Sequence, residues 1–161
     1  MTQSESQRQW YIRNKELAKQ RAKEWYYSHL EFAKQRNELQ ILLENFILKD
    51  LMPWTKKFPD EFFEQLYRLN GWQWPKVKKN HHPRCVGNFI NKYVYEMISP
   101  DVLEELKKQN PVNEKGNRNF RFHQKMTDLG NDTLNKQLIK VTTVMKISDN
   151  TEKFKEFMER C

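Results

Sequence analysis

The chain has 161 residues, and its 29 Lys and Arg against 21 Asp and Glu give a formal net charge of +8. This length fits one domain with an additional arm rather than two independent cores. The mean hydropathy is low, at −1.00, but 13% of the residues are aromatic, which predicts a folded core rather than a disordered chain. No apolar run reaches the roughly 20 residues of a membrane span, and only Cys85 and Cys161 are present. We therefore expect a cytoplasmic protein without a disulfide framework.

The first third of the chain is predicted to be helical. Residues 4–50 contain no proline or glycine and are dominated by strong helix formers. The first half of this stretch is polar and basic, whereas Leu39 to Leu48 is apolar and should be buried. We therefore predict a long basic N-terminal helix at 1–47, followed by a helical domain at 48–161.

Five shorter helices are expected downstream, from apolar residues at helical spacing and from residues typical of helix caps. They are predicted at 60–69, 86–97, 100–109, 132–146 and 151–159. The stretch 119–125 is the one candidate for a short β segment. The predicted fold class is mostly α, a compact multi-helix domain with a long basic N-terminal helix. Seven aromatic residues are assigned to its core: Trp54, Phe58, Phe62, Phe63, Trp72, Phe89 and Tyr93.

Three ordered sequence blocks resemble a known family. They are MPWTKKFPDEFFEQLYRLNGW, VGNFINKYVYEMISPDVLEELKKQNP and a later block that begins FRFHQKMTDLG. In this order they resemble the phage P-sixty-three C-terminal domain, over residues of about 48–160. The resemblance implies a phage or prophage protein that acts in a bacterial host cell, often beside DNA-associated modules of antirepressors. It supplies no catalytic residues.

The sequence favours a protein that is not an enzyme and that needs no cofactor. Its glycines are isolated, so no phosphate-cradling loop is present, and Asp60 with Glu64 is better explained as the acidic start of a helix. A zinc site built from His81, His82 and Cys85, with His123 approaching in space, would lack a second clear ligand pair, so no metal is expected and Cys85 is assigned to the interior. His123 is assigned a structural hydrogen-bonding role, with partner contact as the alternative.

Basic residues interleaved with aromatic ones give the clearest functional signal. Lys and Arg at this density can neutralise phosphates, while exposed aromatic rings can stack on unpaired bases. The alternative is that these loops are only solvated. The predicted nucleic-acid or partner-binding residues lie in three clusters: Arg8, Arg13, Lys15, Lys19, Arg21 and Lys23; Lys76, Lys78, Lys79 and Arg84; and Lys115, Arg118, Arg121 and Lys125.

The apolar end of the long helix predicts a homodimer as well. Its face is larger than one short helix needs, so it either pairs with a second copy or packs on its own domain. The predicted interface residues are Leu39, Leu42, Leu43 and Phe46. A membrane-surface helix is disfavoured because Trp, Tyr and Lys are not segregated onto opposite faces.

These observations favour a phage-type regulatory protein that binds nucleic acid, either DNA or RNA, or a host nucleoprotein. Its outcome would be antirepression or a similar interference with control. The alternative is a counter-defence inhibitor that binds a host protein such as a CRISPR effector. The net charge of +8 argues against mimicry of DNA, because a mimic should be acidic.

Overall fold

The computed structural model describes residues 3–74 and 82–160, with the side chains of residues 5, 10, 13–74 and 82–160. The elements, in chain order, are α1 (Gln3–Phe46), α2 (Asp60–Leu69), α3 (Arg84–Ile90), a π-helical turn (Asn91–Tyr95), α4 (Glu96–Ile98), α5 (Pro100–Gln109), a 3-10 turn (Phe122–Lys125), α6 (Asp128–Ile147) and α7 (Thr151–Glu159). No strand forms within these described ranges. The mostly α fold predicted from the sequence is confirmed.

Within the candidate β segment at 119–125, Phe122–Lys125 forms a 3-10 turn instead. The backbone N–H of Arg121 donates to Oε1 of Gln124 at 2.9 Å, so the amide side chain closes a local turn. Extended pairing is limited to an isolated antiparallel bridge between Ile47 and Met126.

The chain divides into two compact units, residues 1–41 and 42–161. The first unit contains α1 as far as Ile41 and no other described element. Every residue from 13 to 41 is exposed except Asn14, which is half-buried. Interactions within this unit join neighbouring turns of the helix, such as the 3.1 Å hydrogen bond from Gln20 to Glu24.

In the second unit, α6 lies at the centre of the core. It packs against α2, the π-helical turn, α4 and α7. The predicted stripe of α6 is buried, with Leu134, Val141 and Met145 fully inaccessible and Leu138 nearly so. Phe62 of α2 packs into the same core, so the apolar spacing seen in the sequence does define the buried faces.

The π-helical turn is stabilised from α6. A π-helical turn alters the usual backbone hydrogen bonding and leaves carbonyl groups in need of donors. Gln137, which is 9% exposed, donates from Nε2 to the carbonyl oxygen of Tyr93 at 2.9 Å. A buried polar side chain of the central helix therefore compensates for the irregular turn.

The C-terminal end of α6 is held by α2. Arg68 donates from Nη2 to the carbonyl oxygens of Met145 at 2.5 Å and of Ser148 at 3.0 Å. These carbonyls belong to the last turn, where no intrahelical donor remains. An ion pair of 2.5 Å between Lys146 and Glu61 joins the same two helices.

Two assignments to the interior were wrong. Trp54 is 64% exposed, because it lies in an extended segment between two prolines that a backbone hydrogen bond from Met52 to Gln124 holds along the surface. Cys85 is exposed in the first turn of α3, where the side chain points away from the core. The other six aromatic residues are buried or pack partly buried against the core.

None of the helices in the described ranges is both long enough and apolar enough to span a membrane.

Candidate nucleic-acid interface

Three lysines form a row along one face of α1. Lys15, Lys19 and Lys23 are spaced by four residues, so successive members are displaced by about 6 Å along the helix axis. All three side chains are exposed. Lys19 lies 3.1 Å from Glu16, but both side chains are about two-thirds exposed, so this pair binds weakly. This set, called the lysine row below, presents cations to solvent at regular intervals.

Two tyrosines continue the lysine row. The Nζ of Lys23 lies 5.9 Å from the centre of the Tyr27 ring. Tyr27 meets Tyr26 edge to face, with ring centres 5.8 Å apart. Both rings are more than half exposed. An ammonium group beside open aromatic rings can contact a phosphate and an adjacent base together.

The three arginines of the predicted N-terminal cluster, Arg8, Arg13 and Arg21, are not part of the lysine row. At 100° per residue, Arg13 and Arg21 lie about 120° and 160° from Lys19 around the helix axis. Both are exposed. The side chain of Arg8 lies outside the described residues. The structure thus brings together half of the six cations that the sequence grouped.

Arg118 has a structural role in the second unit. Its Nη1 donates to the carbonyl oxygen of Asn110, and its guanidinium lies 5.0 Å from the centre of the Phe122 ring. Asn110 is 1% exposed and also bonds to the backbone of residues 119 and 120. The fold uses this arginine to close the loop after α5, so it is a poor candidate for ligand contact.

Lys125 is engaged in a similar way. Its Nζ donates to the carbonyl oxygen of Lys49, which ties the 3-10 turn to the segment after α1. In contrast, Arg84, Lys115 and Arg121 are exposed. The predicted site residues Lys76, Lys78 and Lys79 lie outside the described residues.

An exposed apolar patch lies in the segment between α1 and α2. Leu51, Met52 and Trp54 are each 48% to 64% exposed, and this set is called the Trp54 patch below. The next residue, Thr55, bonds through its backbone to the ring of His123. The charge of Arg121 and that of Lys57 both act on the same ring, so cations lie near the patch.

The Trp54 patch is not predicted by the sequence, because an aromatic residue such as Trp54 in a polar chain is expected in the core. Pro53 and Pro59, which flank this segment, are the sequence features that could have predicted an exposed position for Trp54. Proline restricts its own backbone and that of the preceding residue to extended conformations, so this segment was poorly suited to packing as a helix face.

His123 is buried, with 6% of its surface exposed. Burial lowers the pKa of the imidazole below its ordinary value, and the nearby Lys57 and Arg121 charges lower this pKa further. The backbone of Thr55 bonds to the ring, and among the described atoms Nε2 has no hydrogen-bond partner. The contact with Thr55 fits the structural hydrogen-bonding role assigned to His123, which stays a prediction.

The third sequence block joins the end of α1 to the start of α6. The Thr127 hydroxyl donates to the carbonyl oxygen of Asn45 at 2.6 Å and accepts from the N–H of Gly130 at 3.0 Å. The side chain of Gln124 donates to the carbonyl oxygen of Met52 at 3.0 Å. The Thr, Gln and Gly of this block are therefore the residues that fasten the chain after α1 to the rest of the unit.

The model of one protein family, the P-sixty-three C domain, matches residues 42–134, which is more than half of the chain. The chain belongs to this family. The match is called the family domain below. It begins at the residue where the second structural unit begins and confirms the resemblance drawn from the three sequence blocks.

The family is associated with phages. The family domain contains the Trp54 patch and Thr127, whose hydroxyl joins the end of α1 to the start of α6, whereas the lysine row lies outside it. No curated protein and no solved structure matches the chain.

The four residues predicted to form a dimer interface fall in different surroundings. Leu42, Leu43 and Phe46 are partly buried against the core of the second unit. Leu39 lies in the first unit and is 39% exposed.

In the part of the chain that the structure describes, no three His, Cys, Asp or Glu side chains are grouped closely enough to hold a metal ion. Among the residues considered as zinc ligands, His82 is hydrogen-bonded through Nδ1 to the hydroxyl of Tyr67 at 2.9 Å, and Cys85 is exposed. His81 lies outside the described residues.

Proposed function

We propose that the protein is a non-enzymatic regulator that binds nucleic acid, or a nucleoprotein, through the lysine row and its adjoining tyrosines. The observation that carries this proposal is the exposed alignment of Lys15, Lys19 and Lys23 with Tyr27 at the end of the row. Regular cations neutralise phosphates and release counterions, which favours any sufficiently long polyanion. The membership of a phage-associated family fits a regulatory role in an infected cell.

The charge around the lysine row supports the proposal. Residues 8–23 carry six Lys and Arg and a single acid, Glu16. Because Glu16 and Lys19 form a solvent-exposed pair, a phosphate can replace the carboxylate at small cost. Residues 8–23 are thus more basic than the chain as a whole.

The Trp54 patch supports contact with unpaired bases in particular. Stacking on an aromatic side chain contributes about 1–3 kcal/mol per base and requires an exposed ring, which Trp54 provides. Arg121 and Lys57 lie near the patch and would hold the phosphates of the stacked nucleotides. We therefore expect single strands to bind more tightly than duplexes.

Fluorescence anisotropy with labelled oligonucleotides tests the proposal. The triple variant Lys15→Glu, Lys19→Glu, Lys23→Glu should bind more than about tenfold more weakly than the native chain, because it loses all phosphate contacts of the row. The matched control is Lys107→Glu, Lys136→Glu, Lys155→Glu, which makes the same change in net charge at three exposed lysines of the second unit. It should keep most of the affinity.

Equal losses in the two triple variants would contradict the assignment to the lysine row, since they would show a response to net charge alone. No binding of the native chain to single-stranded or duplex DNA or RNA would contradict the proposal itself. The counter-defence alternative would then be tested by capture of a host protein.

A further inference from the structure

A stripe of large apolar side chains runs along α1 at seven-residue spacing. Trp25, Phe32 and Leu39 are 62%, 65% and 39% exposed, and Ala18 occupies the same position one heptad earlier. These four residues are called the heptad stripe below. A straight helix drifts by about 20° per heptad, so a strict spacing of seven is the pattern of helices that supercoil around a like partner.

The helix needs a partner for physical reasons. Residues 13–41 are exposed almost throughout, and the first unit contains no other described element. Isolated helices are marginal in water, because most helical stability comes from the packing of an apolar face. A surface that exposes Trp25 and Phe32 to water is unfavourable until another apolar surface covers it.

The charges beside the heptad stripe identify the partner as a second copy of the chain. Glu24, Glu31 and Glu38 each precede a stripe residue by one position, whereas His29 and Arg36 follow one by four positions. If the stripe is position a of a parallel coiled coil, the glutamates are at g and His29 and Arg36 are at e. Position g of one helix faces position e of its partner five residues further on. Glu31 therefore faces Arg36 of a second copy, and Glu24 faces His29.

The charges of Glu31 and Arg36 are available for such pairing. Neither Glu31 nor Arg36 forms an ion pair among the described residues. Arg36 also lines a shallow groove beside Phe32, together with His29, Gln35 and Leu39. A groove between turns next to an apolar stripe is the hole into which a side chain of a coiled-coil partner inserts.

We propose that two copies of the chain associate through their heptad stripes as a parallel, in-register coiled coil. Arg21, Ser28, Gln35 and Leu42 occupy the second seam position, and polar residues within a seam fix register at a cost in stability. Lys19 and Lys23 lie about 120° and 160° around the helix from Trp25, so the dimer leaves these two lysines of each lysine row exposed, whereas Lys15 lies about 80° from Trp25, beside the seam. The proposal does not depend on nucleic-acid binding.

Sedimentation velocity of the full chain with charge-reversed variants tests the interface. The native chain should sediment as a dimer, whereas Glu31→Arg alone and Arg36→Glu alone should shift it toward monomer. The double variant Glu31→Arg, Arg36→Glu restores opposite charges across the seam and should restore the dimer. Lys34→Glu, which lies on the opposite side of α1, is the control and should remain dimeric.

A monomeric native chain, or a larger oligomer, would overturn the proposal. So would single reversals without effect, or a double variant that sediments no differently from the single ones.

Helix direction is tested by Ser28→Cys in a chain whose two native cysteines are replaced by serine. A parallel, in-register seam brings the two introduced thiols together, so oxidation should give a covalent dimer. Failure to cross-link, in a variant that sediments as a dimer, would overturn the parallel arrangement.

Discussion

Gly130 lies directly against Phe46, so closely that a Cβ at this position would stand 2.9 Å from the Phe46 carbonyl oxygen. The same oxygen accepts from the backbone N–H of Thr127 at 3.0 Å. The first turn of α6 and the last turn of α1 therefore meet backbone to backbone. The glycine of the third sequence block is explained by this close approach.

Gly130→Ala should lower the free energy of unfolding by about 1–3 kcal/mol, because the added methyl group cannot move away from backbone atoms. The control is Gly87→Ala. Gly87 is in α3 with nothing within 4 Å of an added Cβ, so alanine should raise stability there by roughly 0.5–1 kcal/mol. Urea denaturation measures both, and changes of the same sign would contradict the account of the junction.

Arg68→Ala should destabilise the second unit by about 1–2 kcal/mol, because two carbonyls at the end of α6 lose their donor. The exposed pair of Arg160 with Glu156 supplies a comparison. Arg160→Ala should change the unfolding free energy by less than about 0.5 kcal/mol. If thermal and urea unfolding show equal effects for the two arginines, α6 is not held by Arg68.

The unfolding free energy should fall as the pH is lowered below 6.5. Burial holds the pKa of His123 below the ordinary value of 6.5, so the folded state keeps the imidazole neutral while the unfolded chain takes up a proton. The loss continues until the pH reaches the lowered pKa of the folded state. His123→Gln, which keeps a donor for the Thr55 carbonyl, should flatten this dependence. An unchanged pH profile in this variant would show that other groups cause the loss.

Trp54→Ala should leave the unfolding free energy within about 0.5 kcal/mol of the native value, because the side chain is largely exposed. Phe62→Ala, at a position with no exposed surface, should cost about 3–5 kcal/mol. The same Trp54 variant should bind single-stranded oligonucleotides more weakly. A large loss of stability in Trp54→Ala would show that this side chain is buried and would contradict its place in the exposed patch.

Local sequence signals predicted much of the fold. α2 was placed at Asp60–Leu69, where it is found, and Ser99 caps α5 through the N–H of Val102. Both rest on short-range chemistry that one sequence contains. α6 begins at Asp128 rather than at 132, because Thr127 caps it and Gly130 continues the helix. In a sequence, a glycine usually indicates that a helix is interrupted. Here Gly130 lies within α6 and allows the close contact with Phe46.

The candidate site was less predictable, because the surroundings of a cation or an aromatic ring are set by distant residues. Arg118 and Lys15 look alike in sequence, yet the first bonds to a backbone carbonyl and the second is exposed. Tryptophan is a residue type that usually packs in a core, and only the extended path of its segment leaves Trp54 exposed to solvent.

The salt dependence of oligonucleotide binding measures directly how many phosphates the lysine row contacts. If the three cations of the lysine row each contact one phosphate, a plot of log K against log salt should have a slope between about −2 for single strands and about −3 for duplex DNA. Anisotropy titrations of the native chain between about 50 and 200 mM salt give this slope. Binding that weakens with such a slope, and loses it in the Lys15, Lys19 and Lys23 triple variant, is the predicted result. Binding with no salt dependence, or no binding at the lowest salt, would contradict the account.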